Sequence, residues 1–326
     1  MIRVKVHAEG AVLDHDLPLD RISDTLAMQD SLLWVDVIAP TVDDLGVIEQ
    51  EFGFHHLALE DAQLVHERPK IDLYDDFILI IFYALTHVPG ETPGLRLEQL
   101  SLFAGQNFVV TLHQAELPVL DQTSDRWCAS HAKIKNGAAG LLVYSILDAL
   151  VDEYLPIADR ISDRIDVIED AVFGRFDANA QQEIFRIKRN LLQMRKVLAP
   201  ERDVLNVLMR RDTPIFSDET VRYFQDIYDH LLRVLDSIDT YRDLLSSSLD
   251  VFLSTVSNRL NIVMKQLAII ATIFLPLTFI TGFFGQNFGW LVRNIGGWPA
   301  FLGLGIGTEV ATVAFMMVFF KRRGWF

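Results

Sequence analysis

Gly285, Gln286 and Asn287 close a run of more than ~20 residues that carries no charge after Lys265. Carboxamide and carbonyl oxygens suit hard cations and their hydration shells, so this tripeptide could hold a hydrated metal ion where a helix leaves a membrane. Upstream, Asn261, Met264, Ala268, Ala271, Leu275, Thr278, Gly282 and Gly285 recur at alternating spacings of three and four. That spacing puts them on one face of a helix, polar below and small-sided through much of its length, as a pore lining would be. Met264, Leu267 and Leu275 are apolar constrictions that could stop ions by dewetting. Continued backwards in the same phase, the seam meets Ser257, Ser254, Asp250, Ser247, Asp243, Thr240, Asp236, Arg233, Asp229 and Asp226. A packing seam would be apolar there. Leu231, Leu235, Ile238, Leu245, Leu249 and Phe252 supply a separate apolar stripe, which leaves the polar one for water. Several copies about an axis would enclose a carboxylate-lined funnel with Asp229, Asp236, Asp243 and Asp250 facing inward.

These residues need a long helix and a bilayer. The stretch from Asn258 to Asn287 is long and apolar enough to span a membrane. Pro276 is tolerated in such a span, where Thr278 and Thr281 can re-satisfy freed carbonyls. No Pro or Gly interrupts the chain from Ser217 or Asp218, either of which can cap a helix, to Pro276. A helix from Asp218 to Thr281 is about 95 Å long. Before it, Leu141 to Phe173 and Ala180 to Met209 read as an antiparallel hairpin broken at Gly174 to Asn179, with Thr213-Pro214 ending it. A second span, Ala300 to Phe320, carries Glu309 near mid-membrane, a candidate coupling group or a carboxyl bonded to a neighbouring helix.

Residues 1–137 read as an α/β domain. Strands are expected at Ile2 to Val6, Leu32 to Ile38, Phe77 to Tyr83, Gln99 to Phe103 and Phe108 to Leu112, with turns at Pro89-Gly90 and Gly105-Gln106-Asn107. Helices are expected at Thr41 to Phe52, capped by Thr41, and at His56 to Leu64. Residues 138–257 form a helical stalk and 258–326 a membrane domain, with spans at about 260–284 and 300–320. The expected class is an α+β membrane protein: a cytosolic α/β domain, a long helical stalk and two C-terminal membrane helices in an oligomeric funnel.

The 326 residues carry a formal net charge of −15, which argues against nucleic acid and suits cations. The start lacks the apolar core of a signal peptide, and Cys128 is the single cysteine, pointing to a reducing compartment. Lys265 and Lys321, Arg322 and Arg323 share one membrane face, which makes that face cytoplasmic, with both termini inside an inner (cell) membrane. No P-loop, GxGxxG or HExxH occurs, so an enzyme is not expected. The nine histidines read as surface or core residues; adjacent His55 and His56 diverge on a helix, and Asp14-His15-Asp16 reads as a solvated turn.

The runs NRLNIVMKQL, IFLPLTFITGFFGQNF and FFKRRGWF resemble the CorA family of divalent-cation channels, whose signature tripeptide is Gly-Met-Asn; Gln286 stands in place of Met. HERPKIDLYDDF, LLVYSILDALVDEYLP and VRYFQDIYDHLLRVLDSIDTYRDLLSSSLDVFLSTVSN extend the resemblance over essentially the whole chain. It implies a homopentamer in a lipid bilayer, first span inside and second span outside, passing Mg²⁺ and also Co²⁺ or Ni²⁺ down the membrane potential. It also implies inhibition by the carried ion, with Asp226 as the helix-side acid of a regulatory metal site. The partner acid would fall near His87, Val88, Pro89 and Gly90, with Glu91 the nearest carboxylate. Family members mostly lack an acid at the position of Glu309, and the loop Phe288 to Pro299 carries Arg293 but no acid, similar to the zinc-transporting ZntB branch. A proton-coupled Zn²⁺ transporter and a membrane-anchored sensor are therefore the alternatives. No cofactor beyond the divalent ion is implied.

Overall fold

The computed structural model describes residues 1–8, 11–14, 22–26, 28, 31–64, 68–87, 94–129, 138–173, 177, 179–210 and 215–325. His15, Asp16, Val88, Pro89, Gly90, Glu91, Thr213, Pro214 and most of the break after Phe173 lie outside them. Contacts divide the chain into two units, Met1–Leu249 and Asp250–Phe326.

The first unit is built on a seven-stranded sheet in the order β2-β1-β3-β7-β6-β5-β4, with β1 at Ile2–Ala8, β2 at Ala11–Asp14, β3 at Ser31–Ile38, β4 at Lys70–Leu73, β5 at Ile78–His87, β6 at Leu95–Ala104 and β7 at Phe108–His113. Every pair is antiparallel except β3 with β7, where Leu33 lies opposite Phe108. All eight residues of β3 are buried, so both faces of the sheet are covered there. The helices of this part are α1 (Ile22–Leu26), α2 (Val42–Phe52), α3 (His56–Gln63) and α4 (Pro118–Ala129). Thr41 caps α2 in a reciprocal box with Asp44, and the His55 ring accepts the Leu57 amide to cap α3. The five expected strands are present. The short strands β2 and β4 and helices α1 and α4 are additions, each too short or too weakly patterned to stand out.

One polar network joins the parallel pair of strands. His113 from β7 donates through Nε2 to Asp36 Oδ1 on β3 at 2.9 Å, and its Nδ1 lies 2.6 Å from the Ala115 carbonyl. Both ring nitrogens face acceptors, an arrangement that favours the doubly protonated ring. Burial disfavours that charge, but the Asp36 hydrogen bond and charge and the Ala115 carbonyl outweigh it and hold the pKa above its ordinary value. Stability from the pair is full below the unfolded value near 6.5 and is lost as pH rises through the raised folded value. Asp36→Asn should lower stability by about 3 kcal/mol at pH 6 and flatten this fall. Melting midpoints of both proteins from pH 6 to 9 check it; parallel curves would show that the pair does not titrate.

The helical part departs from the expected hairpin in one place. Its first arm is two helices, α5 (Ala138–Asp152) and α6 (Tyr154–Phe173), interrupted at Glu153. Pro156 is the reason: it has no N–H to donate to the Asp152 carbonyl four residues back. The second arm, α7 (Ala180–Leu208), runs antiparallel to α6, since Arg164 pairs with Glu183 at one end and Tyr154 meets Glu201 at the other.

Helix α8 is continuous from Asp218 to Phe284, 67 residues, with the Ser217 hydroxyl accepting the Thr220 amide at its start. Phe224, Ile227, Leu231, Val234 and Ile238 are fully buried, each contributing roughly 1.5–3 kcal/mol. Lys188 of α7 donates to Ser246 at 2.8 Å, and Ser248 donates to Glu169 of α6 at 3.1 Å.

The second unit holds the end of α8, then α9 (Gly289–Asn294), α10 (Trp298–Ala300), a π-helical segment at Phe301–Gly307 and α11 (Thr308–Arg322). Two helical stretches, Thr220–Phe284 and Trp298–Arg322, are long and apolar enough to cross a membrane. The expected loop from Phe288 to Pro299 is largely helical, and the second span is not one uniform α-helix.

Candidate ion pathway and ion-sensing cluster

The register of α8 decides which of its side chains are available. In the single chain every position of the expected seam is exposed: Asp226, Asp229, Arg233, Asp236, Thr240, Asp243, Ser247 and Asp250, then Ser254, Ser257, Asn261, Met264, Ala268, Ala271, Leu275, Thr278, Gly282 and Gly285. The expected packing stripe is buried at Leu231, Leu235, Ile238, Leu245 and Phe252 and half-buried at Leu249. Amphipathic periodicity thus sorts the helix into one packed face and one open face.

From Asn258 to its end, the shielded positions of α8 are Lys265, Ile269, Ile273, Pro276, Leu277 and Ile280. On α11 they are Thr308, Glu309, Thr312, Val313, Met316 and Phe320, and the Lys265 ammonium donates to the Gly324 carbonyl at 3.5 Å. The returning span therefore covers one side of α8. Ala271, Leu275, Thr278 and Gly282 each lie two positions from a shielded residue, some 200° around a helix of 3.6 residues per turn, so the seam is turned away from α11. Met264, Leu267 and Leu275 all project into the open.

Gly285 follows the last turn of α8, its amide donating to the Thr281 carbonyl at 2.8 Å. A Cβ there would come within 2.9 Å of that oxygen, closer than real Cβ contacts allow, so glycine is required for the chain to leave the helix this way. Gln286 donates through its amide to the Phe283 carbonyl at 3.3 Å, and the Gln286 and Asn287 side chains are exposed. The threonines do not act as expected around Pro276. Thr278 Oγ1 donates to Phe274 and Thr281 Oγ1 to Leu277, each its own i−4 carbonyl, rather than to the Thr272 carbonyl that Pro276 cannot serve. Glu309 is half-buried in the first turn of α11, directly after the π-helical segment, and makes no hydrogen bond or ion pair among the described residues.

Asp226 has neighbours that its own helix only partly supplies. Two pairs at i,i+4 spacing, Asp148 with Asp152 on α5 and Asp226 with His230 on α8, converge in the first unit. One ligand atom from each of Asp148, Asp152 and His230 lies within 4.8 Å of the others. His230 Nδ1 is 3.7 Å from Asp152 and its Nε2 is 3.9 Å from Asp226. Nδ1 is buried and makes no hydrogen bond among the described residues. Burial, with the charges of Asp152 and Asp226, raises the Asp148 pKa against the opposing His230 and Arg126. Burial, then the charges of Asp148 and Asp226, pushes the neighbouring Tyr144 phenol up to about 12. Carboxylates and an imidazole at these separations are a donor set for a divalent cation. Asp148, Asp152 and His230 escape a reading of the sequence because the pairing of α5 with α8 is long-range. The two i,i+4 pairs are the signal that could have found them.

Residues 29–322 match the family described as CorA-like Mg²⁺ transporter protein. The chain is 37% identical to the cobalt/magnesium transport protein CorA of Thermotoga maritima, over 90% of this chain and 83% of that protein. It is 34% identical to YfjQ of Bacillus subtilis, over 100% of this chain and 99% of that protein. The solved structure of the CorA magnesium transporter from Methanocaldococcus jannaschii superposes with a TM-score of 0.83 at 25% identity, covering 100% of this chain and 99% of that one. An N-terminal soluble α/β part, one long helix and two C-terminal membrane helices thus agree with the architecture expected from the sequence, and the chain belongs to the CorA-like Mg²⁺ transporter family.

Proposed function

We propose that this chain is the subunit of a homopentameric membrane channel that passes divalent cations, Mg²⁺ foremost and Co²⁺ or Ni²⁺ beside it, into the cytosol. Both termini lie on the cytoplasmic side. The observation that carries this reading is the open seam of α8, which passes in one phase from acids at Asp226 to Asp250, through Asn261 and the apolar Met264 and Leu275, to Gly282, with Gly285 and Asn287 just beyond the helix end. Mg²⁺ gives up water reluctantly, so Asn287 amide oxygens and Gly285 carbonyls hold it hydrated at the outer mouth. The membrane potential favours its entry by roughly 4.6 kcal/mol per 100 mV, twice the single-charge value. Met264, Leu267 and Leu275 close the path by excluding water when the ring is narrow, and Asn261 and Thr278 are polar steps on either side. Asp226 with Asp148, Asp152 and His230 holds the cytosolic ion that reports sufficiency and favours the closed ring.

The test is flux into liposomes carrying the purified protein, read by internal dyes for Mg²⁺, Co²⁺ and Zn²⁺, with and without potential and pH gradient. Potential-driven Mg²⁺ entry indifferent to pH gradient is expected. Asn261→Ala should alter its rate or selectivity. Zn²⁺ entry that needs an inward proton gradient would move the assignment to a coupled transporter and to Glu309. No flux of any ion would leave a membrane-anchored sensor.

A further inference from the structure

Strand β5 is longer than its outer neighbour. Pairing with β4 stops at Ile81 opposite Lys70, because Pro69 precedes it and cannot donate to a ladder. Tyr83, two residues further along, is left with its N–H and C=O pointing away from β6 into the protein interior. Two helices supply what a strand would have. The Tyr83 amide donates to Glu201 Oε1 of α7 at 2.9 Å, the Tyr154 hydroxyl of α6 reaches the Tyr83 carbonyl at 2.5 Å, and that hydroxyl is 3.2 Å from Glu201 Oε2. Glu201 and Tyr154 are both 0% exposed.

Counting hydrogens decides the charge of this ring. Tyr154 has one proton and two acceptors within reach, so an ionised Glu201 would leave one oxygen pair without a hydrogen between them. A protonated Glu201 closes the cycle: its Oε2–H donates to the Tyr154 oxygen, Tyr154 donates to the Tyr83 carbonyl, and the Tyr83 amide donates to Oε1. Among the described residues no cation stands against the carboxyl. The groups that face it are the Tyr154 phenol from α6 and the Tyr83 amide from β5, while Lys70 of β4 is engaged by Asp61 and Asp72. Burial pushes the carboxyl well above its usual range, against the two donors that would favour the anion.

We infer that Glu201 is a proton-holding clamp that ties the sheet edge to α6 and α7, and that alkaline pH opens it. A carboxyl whose folded pKa is raised stabilises the fold fully below its unfolded value, and that contribution is lost as pH rises through the folded value. Opening frees the attachment of the α6–α7 hairpin to β5, which makes the joint sensitive to rising pH without any residue of the ion path taking part.

The test uses the full chain in detergent micelles. An infrared difference spectrum, wild type minus Glu201→Gln at pH 7, should contain the carbonyl band of a protonated carboxylic acid. Tyr154→Phe should shift that band, by removing its hydrogen-bond acceptor. Between pH 7 and 10 the melting midpoint of the wild type should fall more steeply than that of Glu201→Gln, whose amide keeps the ring at any pH. A carboxylate signature at pH 7, a band unmoved by Tyr154→Phe, or parallel melting curves would overturn the clamp.

Discussion

Asn287→Ala should abolish potential-driven Mg²⁺ entry into liposomes, a fall of at least about 100-fold, while the protein still purifies and melts as the wild type does. Hydrogen bonds to charged groups are worth about 1.5–3 kcal/mol each, and the substitution removes one carboxamide from every copy in the ring. Since about 1.4 kcal/mol is tenfold, loss of two such contacts already accounts for the expected effect. The folded protein is spared because the Asn287 side chain is exposed and lies beyond the end of α8. Gly285→Ala reaches a similar loss by another route, since its Cβ would meet the Thr281 carbonyl at 2.9 Å and displace the chain that carries Asn287. Unimpaired Mg²⁺ flux in Asn287→Ala would remove the tripeptide from the ion path.

The second large effect is expected at the cytosolic cluster. Mg²⁺ at about 100 times its dissociation constant stabilises a site that binds only the folded state by about 2.7 kcal/mol, visible as a raised melting midpoint. Asp148→Asn combined with Asp226→Asn should eliminate that shift, and in liposomes should leave flux that internal Mg²⁺ no longer suppresses. His230→Ala should weaken the response to Co²⁺ more than to Mg²⁺, because imidazole nitrogen suits the softer ion and is a poor Mg²⁺ ligand. The pH dependence has a definite sign. Burial and the charges of Asp152 and Asp226 make Asp148 easier to protonate than a free aspartate, so the Mg²⁺ shift should shrink on acidification sooner than ordinary aspartates would allow. A full Mg²⁺ shift in the double variant would place the sensor elsewhere.

Helix α8 is readable in detail because its information is local. The alternation of three and four fixes a face, no Pro or Gly interrupts the chain from Asp218 to Leu275, and the phase set by Gly285 and Asn261 carries back to Asp226. The five long strands are readable for the same reason. What stays hidden depends on chain segments far apart in sequence. Asp148 and Asp152 look like an ordinary solvated helix face until α5 meets α8. Glu201 in Pro-Glu-Arg-Asp looks like one more surface acid until α7 lies against the edge of β5. The break at Glu153 does have a local sign, since Pro156 belongs in the first turn of a helix and so marks where α6 starts. A continuous apolar periodicity from Leu141 to Phe173 outweighs that sign when the sequence is read alone. The π-helical segment before Glu309 has no simple pattern of residue types that announces it.

The open face of α8 also constrains handedness. A seam that repeats every seven residues drifts by about 20° per repeat on a straight α-helix, or roughly 170° between Asp226 and Gly285. Neighbouring copies that keep this face toward a common axis must wind about it left-handedly to cancel the drift. Straightening that winding would turn acids, amides and apolar constrictions to different sides of the helix, so a change in twist alone would alter which of them the ion meets.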